Sequence, residues 1–503
     1  MLRSLLINTG SNVTVLFIKL ALTLVMTPIF VKYLGKYDYG LWEVIVGILG
    51  YMGMLDMGMK PTISRYVAKY NAEDDRPNLN KVYASTFVFT ALVGAGVALI
   101  FIVWGTFFAQ SMAPDGESAS RYQFFLYILA AQLVIVFPGY VAESYLEGFQ
   151  KYYLKNNVTI VNSLVGAGVF ITLATPDNAL LLLAGVNATG LITKYIFYGY
   201  LVSRPDYCGT SLKLSLFSWE TLREMLSFGV KSFVQGVSNR VESATDTIVI
   251  GLMLGPAMVP LYSIPQNLVR HIQNLGWSLC HVFMPLFSDL AARSELEKIR
   301  SIFLVGSKLV AGLVFALGLG AVLVGTPFLA LWVGPDFTEQ SDIILLLLVI
   351  FLVIPMINPF SSRYLTAIGK HGIYAQIMPV AALANLGLSV LLAGPLGIVG
   401  VALGSVVPAI IVYPILLVYT CKQLDLGVWT YLTKSLFPLI VPLCIMAAPV
   451  AWIRWDVGIQ SYGMLIGAVT AGGVVYLIAF WALAFTREER AFVLDRLPGK
   501  KRG

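Results

Sequence analysis

Only 12% of the 503 residues are Asp, Glu, Lys or Arg, so charges inside long apolar stretches are where chemistry is to be sought. Lys19 lies among Leu16, Phe17, Leu20 and Leu22, and shares a helix face with Asn8, Asn12, Thr23 and Thr27 at three- or four-residue spacing. Arg270 falls near the middle of a second stretch, on a stripe with Gln266, Gln273, Asn274 and Trp277. A third stretch carries Gln235, Ser238, Glu242, Thr245 and Asp246 along one face, with Arg240 on the opposite side. Lys194, Lys231 and Lys308 are near enough to stretch ends for their ammonium groups to reach a polar surface, and Arg363 and Glu147 read as interfacial. A charge near a bilayer centre costs at least a few kcal/mol, so each such position implies a watery cavity or an ion pair. Two readings stay open: a lock between helices, with Lys19 or Arg270 against Glu242, or a wet, cationic lining. Fixed Lys and Arg in a low-dielectric cavity would suit an anionic ligand. The acids Glu242 and Asp246, with Asn385 as companion, suit either a hard cation such as Na⁺ or a proton. Ala381, one turn before Asn385, offers no oxygen to such a cation.

The elements that must carry these residues are membrane helices. Apolar residues make up 58% of the chain, more than a soluble fold of this length could hide, and open sheets cannot sit in lipid with unpaired backbone groups. About fourteen stretches approach the length needed to cross a ~30 Å hydrocarbon core. They cover 12–31, 41–59, 82–108, 123–142, 158–174, 179–202, 232–254, 260–286, 302–324, 343–364, 373–393, 398–420, 434–453 and 462–485. With the N-terminus inside, about 24 of the 34 lysines and arginines fall in cytoplasmic segments, a bias that sets topology by the positive-inside rule. Both termini are therefore expected in the cytoplasm, and the net charge of +7 is a topological signature that needs no nucleic-acid partner.

The chain also repeats itself at an offset of about 220 residues. Leu34-Gly35 and Trp42 match Leu254-Gly255 and Tyr262, Leu146-Glu147-Gly148 matches Ala367-Ile368-Gly369, each followed by a lysine (Lys151, Lys370), and Asn162 matches Asn385. Six helices per half is an even number, so the halves share one orientation and a substrate is expected between them. The expected organisation is an N-terminal lobe 1–202, a cytoplasmic linker with an interfacial helix 203–225, a C-terminal lobe 226–421, and a final pair of helices with a basic tail 422–503. Arg3 precedes a stretch that reads as an uncleaved first helix. Cys208, Cys280, Cys421 and Cys444 show neither zinc nor redox spacing, and no disulfide framework is expected. No phosphate-binding G-x-x-x-x-G-K-[ST] loop and no nucleophile–base set is present, and the outer loops are short. Those features suit a transporter rather than an enzyme.

The segments Pro28-Ile29-Phe30-Val31-Lys32-Tyr33-Leu34-Gly35, Tyr39-Gly40-Leu41-Trp42 and Leu55-Asp56-Met57-Gly58-Met59 occur in a telling order with Asp246-Thr247-Ile248-Val249-Ile250-Gly251, Ala367-Ile368-Gly369-Lys370 and the run Gly397 to Gly404. With these, the chain resembles the polysaccharide-transporter (Wzx-type flippase) branch of the multidrug/oligosaccharidyl-lipid/polysaccharide exporter superfamily, over roughly residues 6–421. The resemblance implies a V-shaped, two-lobed transporter in the cytoplasmic membrane that moves an undecaprenyl-diphosphate-linked glycan to the outer leaflet. It implies no cofactor beyond a coupling Na⁺ or H⁺, and membrane lipids and other polysaccharide-assembly proteins as neighbours. Lys19, Lys231, Arg240 and Arg270 would then face the diphosphate. Asn12, Gln235, Gln266, Gln273 and Asn274 would bond sugar hydroxyls, and Tyr262 and Trp277 would stack on sugar faces. Glu242, Asp246 and Asn385 would serve the coupling ion. The competing readings are a multidrug exporter of the same superfamily, which should present an acidic cavity, and a membrane glycan polymerase or glycosyltransferase, which should display a large catalytic outer loop.

Overall fold

A backbone in hydrocarbon must satisfy its own N–H and C=O groups, and coiling into helices does this within each segment. The computed structural model is helical throughout, with describable residues 2–114, 119–281, 283–487 and 489–490; of residues 2–6, 9, 13 and 230–244 the backbone alone is described. The chain divides into two compact units, 1–240 and 241–503. The first contains α1 Leu2–Met52, α2 Met59–Ala72, α3 Arg76–Met112, α4 Ala119–Gly148, α5 Tyr152–Leu173 and α6 Ala179–Ser203. Helix α7, Trp219–Met253, begins in the first unit and ends in the second. The second continues with α8 Val259–His281, α9 Met284–Ala292, α10 Leu296–Trp332, α11 Ser341–Val353, α12 Ser361–Ala367, α13 Gly372–Gln423, α14 Val428–Tyr431, α15 Ile440–Trp452 and α16 Tyr462–Ala479.

Among the described residues, eleven helical stretches are long and apolar enough to cross a membrane. Two of them are broken by a glycine with positive φ: Gly35 in α1 (φ 68°, ψ −176°) and Gly397 in α13 (φ 60°, ψ −141°). A side chain would be strained in either conformation. The short loop expected over 32–40 is thus a single-residue break between two helical limbs. Near residue 355 the stretch expected as one span is interrupted as well. Pro355 cannot continue the hydrogen-bond ladder, so α11 gives way to a 3₁₀ turn Ile354–Ile357 before α12.

The internal repeat is visible as recurring turns. Asp74 and Ser294, about 220 residues apart, both adopt positive φ. Asp75 N and Glu295 N each reach back five residues, to Tyr70 O and Leu290 O. This is the Schellman closure of a helix end. It recurs at Gln150 and Gly369, where Lys151 N bonds Leu146 O and Lys370 N bonds Leu365 O. The turn therefore aligns Gln150, and not Gly148, with Gly369. By the same offset Asn162 falls opposite Ala381, one turn before its expected match Asn385. Core contacts repeat too. Tyr83 meets Tyr145 with ring centroids 4.8 Å apart, and at the matching positions Phe303 meets Tyr364 at 6.1 Å.

The segment after α6 packs against the first unit. Cys208, Leu222 and Met225 belong to its core, Ser211 N donates to Asn80 Oδ1 (3.1 Å), and Ser218 N to Ser85 Oγ (2.9 Å). In the second unit, the two limbs of α13 approach through small residues. A Cβ at Gly404 would overlap Ser389, and one at Gly400 would overlap the Leu392 carbonyl. Gly404→Val is accordingly expected to destabilise the protein by about 3 kcal/mol through overpacking. Gly394→Ala, with nothing within 4 Å of the new methyl, should leave stability unchanged. Thermal unfolding of the purified protein in detergent checks the difference.

Candidate functional site

Charged side chains of the first unit gather where α4 ends and α5 begins. Glu143 and Glu147, one turn apart on α4, point to the same side of that helix. Lys60, in the first turn of α2, places Nζ 3.0 Å from Glu143 Oε1. The tight turn at Gln150 brings the start of α5 back beside α4, so Lys155 Nζ lies 2.7 Å from Glu147 Oε1 and 3.8 Å from Glu143 Oε1. From α6, Tyr195 OH donates to Glu143 Oε2 (3.3 Å), and Lys194 Nζ sits 4.2 Å from the Tyr195 ring centroid. Lys194 is within electrostatic range of Glu143, Lys60, Lys155 and Lys19. Ser64 Oγ completes the set by donating to Glu147 Oε2 (3.3 Å). Lys60, Lys155 and Lys194, from three helices, share the two carboxylates; Lys19 of α1 adds its charge beside Lys194 and Asp56 offsets part of it beside Lys60, which leaves four lysines against three acids. In surroundings less polar than bulk water, that excess attracts anions more strongly than a solvated surface would.

Lys19 is exposed on α1. The rest of its polar stripe is occupied with local structure. Asn8 Nδ2 donates to Gln150 O (2.8 Å), Asn12 Oδ1 accepts from Asn156 Nδ2 (2.7 Å), and Thr23 and Thr27 donate to carbonyls one turn back. Asn8 and Asn12 thus fasten α1 to the α4–α5 corner.

The second unit contains a different cluster, centred on Asp246. The carboxylate is 3% exposed, and hydroxyls supply its partners: Tyr262 OH at 2.5 Å and Ser405 Oγ at 2.7 Å on Oδ2, and Ser389 Oγ at 3.5 Å from Oδ1. Asn385 Nδ2 donates to Ser405 Oγ (2.6 Å), while Asn385 Oδ1 is buried without a hydrogen-bond partner. Arg270 is half-buried and near enough to Asp246 to offset its charge. A small cavity of about 30 Å³, lined by Phe351, Met378, Ala381, Asn385 and Ser405 among others, lies beside this network. The buried acid, three hydroxyls and an unpartnered amide oxygen form a donor set suited to a hard cation or a proton. Ala381 lines the cavity and contributes no oxygen; Ser389 and Ser405 supply the oxygens it lacks.

The model of the polysaccharide biosynthesis protein family matches residues 5–291, more than half of the chain. The protein belongs to that family. It is 22% identical over 509 residues to an uncharacterized membrane protein of Bacillus subtilis (strain 168), EpsK, with 97% of each chain covered. To the "Putative O-antigen transporter" of Shigella flexneri it is 22% identical, over 74% of this chain and 86% of that one. Among solved structures, the lipid II flippase MurJ in an inward closed conformation superposes with a TM-score of 0.67 at 13% identity, covering 98% of this chain and 100% of that one. An inward-facing multidrug resistance MATE transporter of the MOP superfamily gives 0.65 at 16% identity, covering 82% and 98%. The chain is a multi-pass membrane protein, and the solved structures show that it has the MATE/MurJ fold.

Several residues singled out from the sequence have other duties than expected. Tyr262 is wholly buried with its hydroxyl on Asp246, so its ring is not open to a sugar and it joins the acid cluster instead. Gln273 Nε2 donates to the Leu352 carbonyl (3.2 Å), where α11 nears its break. Gln266 is buried, Asn274 is exposed, and Trp277 packs against the second unit's core. The side chains of Lys231, Gln235, Ser238, Arg240 and Glu242 lie outside the described residues. Glu143, Lys60, Lys155, Ser389 and Ser405 were missed. Their signal was faint: two acids at helical spacing, and serines one turn or one helix limb from Asn385.

Lys308 corrects the snorkelling expectation outright. It is 2% exposed, and its ammonium donates to Ala484 O (2.9 Å) and to both oxygens of Glu489 (2.8 Å each) beyond α16. Removing one member of a buried pair strands the other charge. Glu489→Ala should therefore cost about 3 kcal/mol. Adding Lys308→Met should recover most of the loss, read as the thermal midpoint of the single and double variants.

Proposed function

We propose that the protein is a flippase that moves an undecaprenyl-diphosphate-linked glycan from the inner to the outer leaflet of the cytoplasmic membrane by alternating access, for cell-surface polysaccharide synthesis. The observation that carries this reading is the lysine excess of the first unit. A diphosphate is the part of such a cargo least at home in oil, and ammonium groups held in a half-buried cluster can replace its lost hydration. Membership of a polysaccharide biosynthesis family and the fold of known flippases and exporters support it.

The topology fits. If the limbs on either side of Gly35 and Gly397 cross separately and α7 crosses once, the eleven candidate spans become fourteen. That gives six crossings in each of two parallel lobes, 1–202 and 226–421, joined by 203–225, and a final pair. With both termini inside, the α4–α5 turn is cytoplasmic, so Lys19, Lys60, Lys155 and Lys194 meet the cargo on the side where it is made. The prenyl tail stays in the bilayer. A multidrug exporter would offer cations a carboxylate-rich surface, and the lysine excess disfavours it.

Transport of this kind needs a driving force, and the Asp246 cluster is the place to look for it. Asp246, Asn385 Oδ1, Ser389 and Ser405 are the oxygens that would hold Na⁺, and a proton would reside on Asp246 itself. Arg270 answers to this carboxylate as a fixed counter-charge.

Two experiments test these assignments. Lys19→Glu and Lys194→Glu should each lower export at least about tenfold, since one reversed charge outweighs the 1.4 kcal/mol that a tenfold change represents. Surface glycan should fall and lipid-linked units should accumulate inside, with protein level and thermal midpoint kept; normal export by both variants rejects the cationic site. Asp246→Asn retains acceptors for Tyr262 and Ser405 but removes the charge. It should fold and lose export. A midpoint that rises with Na⁺ over K⁺ in the wild type and not in this variant identifies Na⁺, and an unresponsive wild type identifies the proton.

A further inference from the structure

We infer that Glu143 is a built-in occupant of the cargo's phosphate site. In the empty protein its carboxylate holds the lysine cluster together, the incoming anion displaces it, and it competes for the same ammonium groups when the headgroup leaves. This inference rests on the reading of the lysine cluster as a phosphate site.

The geometry distinguishes Glu143 from its neighbour. Glu147 meets two groups from other helices: Lys155 of α5 at 2.7 Å and Ser64 of α2 at 3.3 Å. Glu143 instead gathers groups from three other helices, namely Lys60 of α2 at 3.0 Å, Lys155 of α5 at 3.8 Å and Tyr195 of α6 at 3.3 Å, with Lys194 in electrostatic range. N–H and O–H donors converging on one oxyanion from several directions are what a phosphate group also requires. The Glu143 side chain is 13% exposed, so the place it fills can be reached from outside.

The helices are closely packed here. One turn before Glu143, a Cβ at Gly139 would overlap the Tyr195 side chain, so α4 presents bare backbone to α6. Exchange by side-chain rotation leaves this contact in place. An anion arriving beside an ionised Glu143 raises its energy by like-charge repulsion, and swinging the carboxylate outward relieves that repulsion. Without Glu143, the empty cluster would leave Lys60 without its carboxylate partner and Lys194 without the nearest compensating charge. The same acid thus keeps the unloaded site stable and weakens the loaded one.

Full-length protein in lipid nanodiscs can be titrated calorimetrically with farnesyl diphosphate, a prenyl diphosphate without sugar. Glu143→Gln should bind it about tenfold more tightly than wild type, the response to removing a competitor worth 1.4 kcal/mol. Glu143→Asp, which keeps the charge and withdraws it by one methylene, should lie between them, and it decides the matter on the same scale if the glutamine variant does not fold. Lys194→Gln should bind at least about tenfold more weakly. In cells Glu143→Gln should export more slowly despite binding more tightly, an opposition that a purely structural role would not produce. If wild type binds, Lys194→Gln weakens binding, and Glu143→Gln is unchanged or weaker, the displacement role is overturned while the phosphate site stands. If wild type fails to bind, or binds no better than Lys194→Gln, the phosphate site falls and this role with it.

Discussion

An ion in hydrocarbon must find its partner inside the chain, because lipid supplies none. Much of this protein's side-chain architecture follows from that requirement. Lys308 is sealed by Glu489, beyond α16, which ties that residue to α10. Arg454 pairs with Asp342 and donates to the Val322 and Leu323 carbonyls, closing the corner where α15 meets α10 and α11. Asp38, just past the Gly35 break, holds Arg121 Nη2 at 2.6 Å and Tyr122 OH at 3.2 Å, which pins the start of α4. In each case the charge is answered locally and the result is structural. The lysine cluster differs because its acids answer only part of its charge, and that shortfall is what makes it a candidate for a ligand.

The helical class, the membrane setting and most span positions were legible in the sequence, because apolar length is a strong signal that tertiary packing seldom overrides. The glycines at 35 and 397 were visible as letters, but a single residue with positive φ between two helices looks like a short loop until the backbone is seen. The repeat was legible at Gly35 and Gly255, where the same strained conformation demands the same residue. It was misaligned near Gly148, because Gln150 adopts the left-handed conformation there while glycine does so in the other half.

The site was harder to read, for a reason particular to membrane proteins. Charges at mid-span draw the eye, as Lys19, Arg270 and Asp246 did, whereas charges near span ends merge with the positive-inside background. Lys60 and Lys155 belong to that background in one dimension, and only the fold brings them onto Glu143 from two other helices. Lys308 shows the converse: its distance from a span end suggested an escape to water, and the partner that makes burial tolerable sits 181 residues away.

The two halves repeat their scaffold and not their chemistry. Carried across by the offset that the Schellman turns define, Lys60, Glu143, Glu147, Lys155 and Lys194 fall opposite Cys280, Ser362, Thr366, Tyr374 and Tyr413, all of them uncharged. In the other direction Asp246 falls opposite Met26 and Tyr262 opposite Trp42. The shared parts are those that backbone geometry demands: a glycine between two helical limbs, a closed turn after the second and fourth spans, and aromatic contacts at matching core positions. The parts free to vary have separated an anion-attracting cluster from a cation- or proton-suited one. Opposite charges placed together would neutralise each other as Lys308 and Glu489 do. Placed in different copies of one scaffold, they do not cancel: Asp246 is answered by hydroxyls and Arg270 within its own unit, and the lysine cluster keeps charge that its own acids leave over for a ligand.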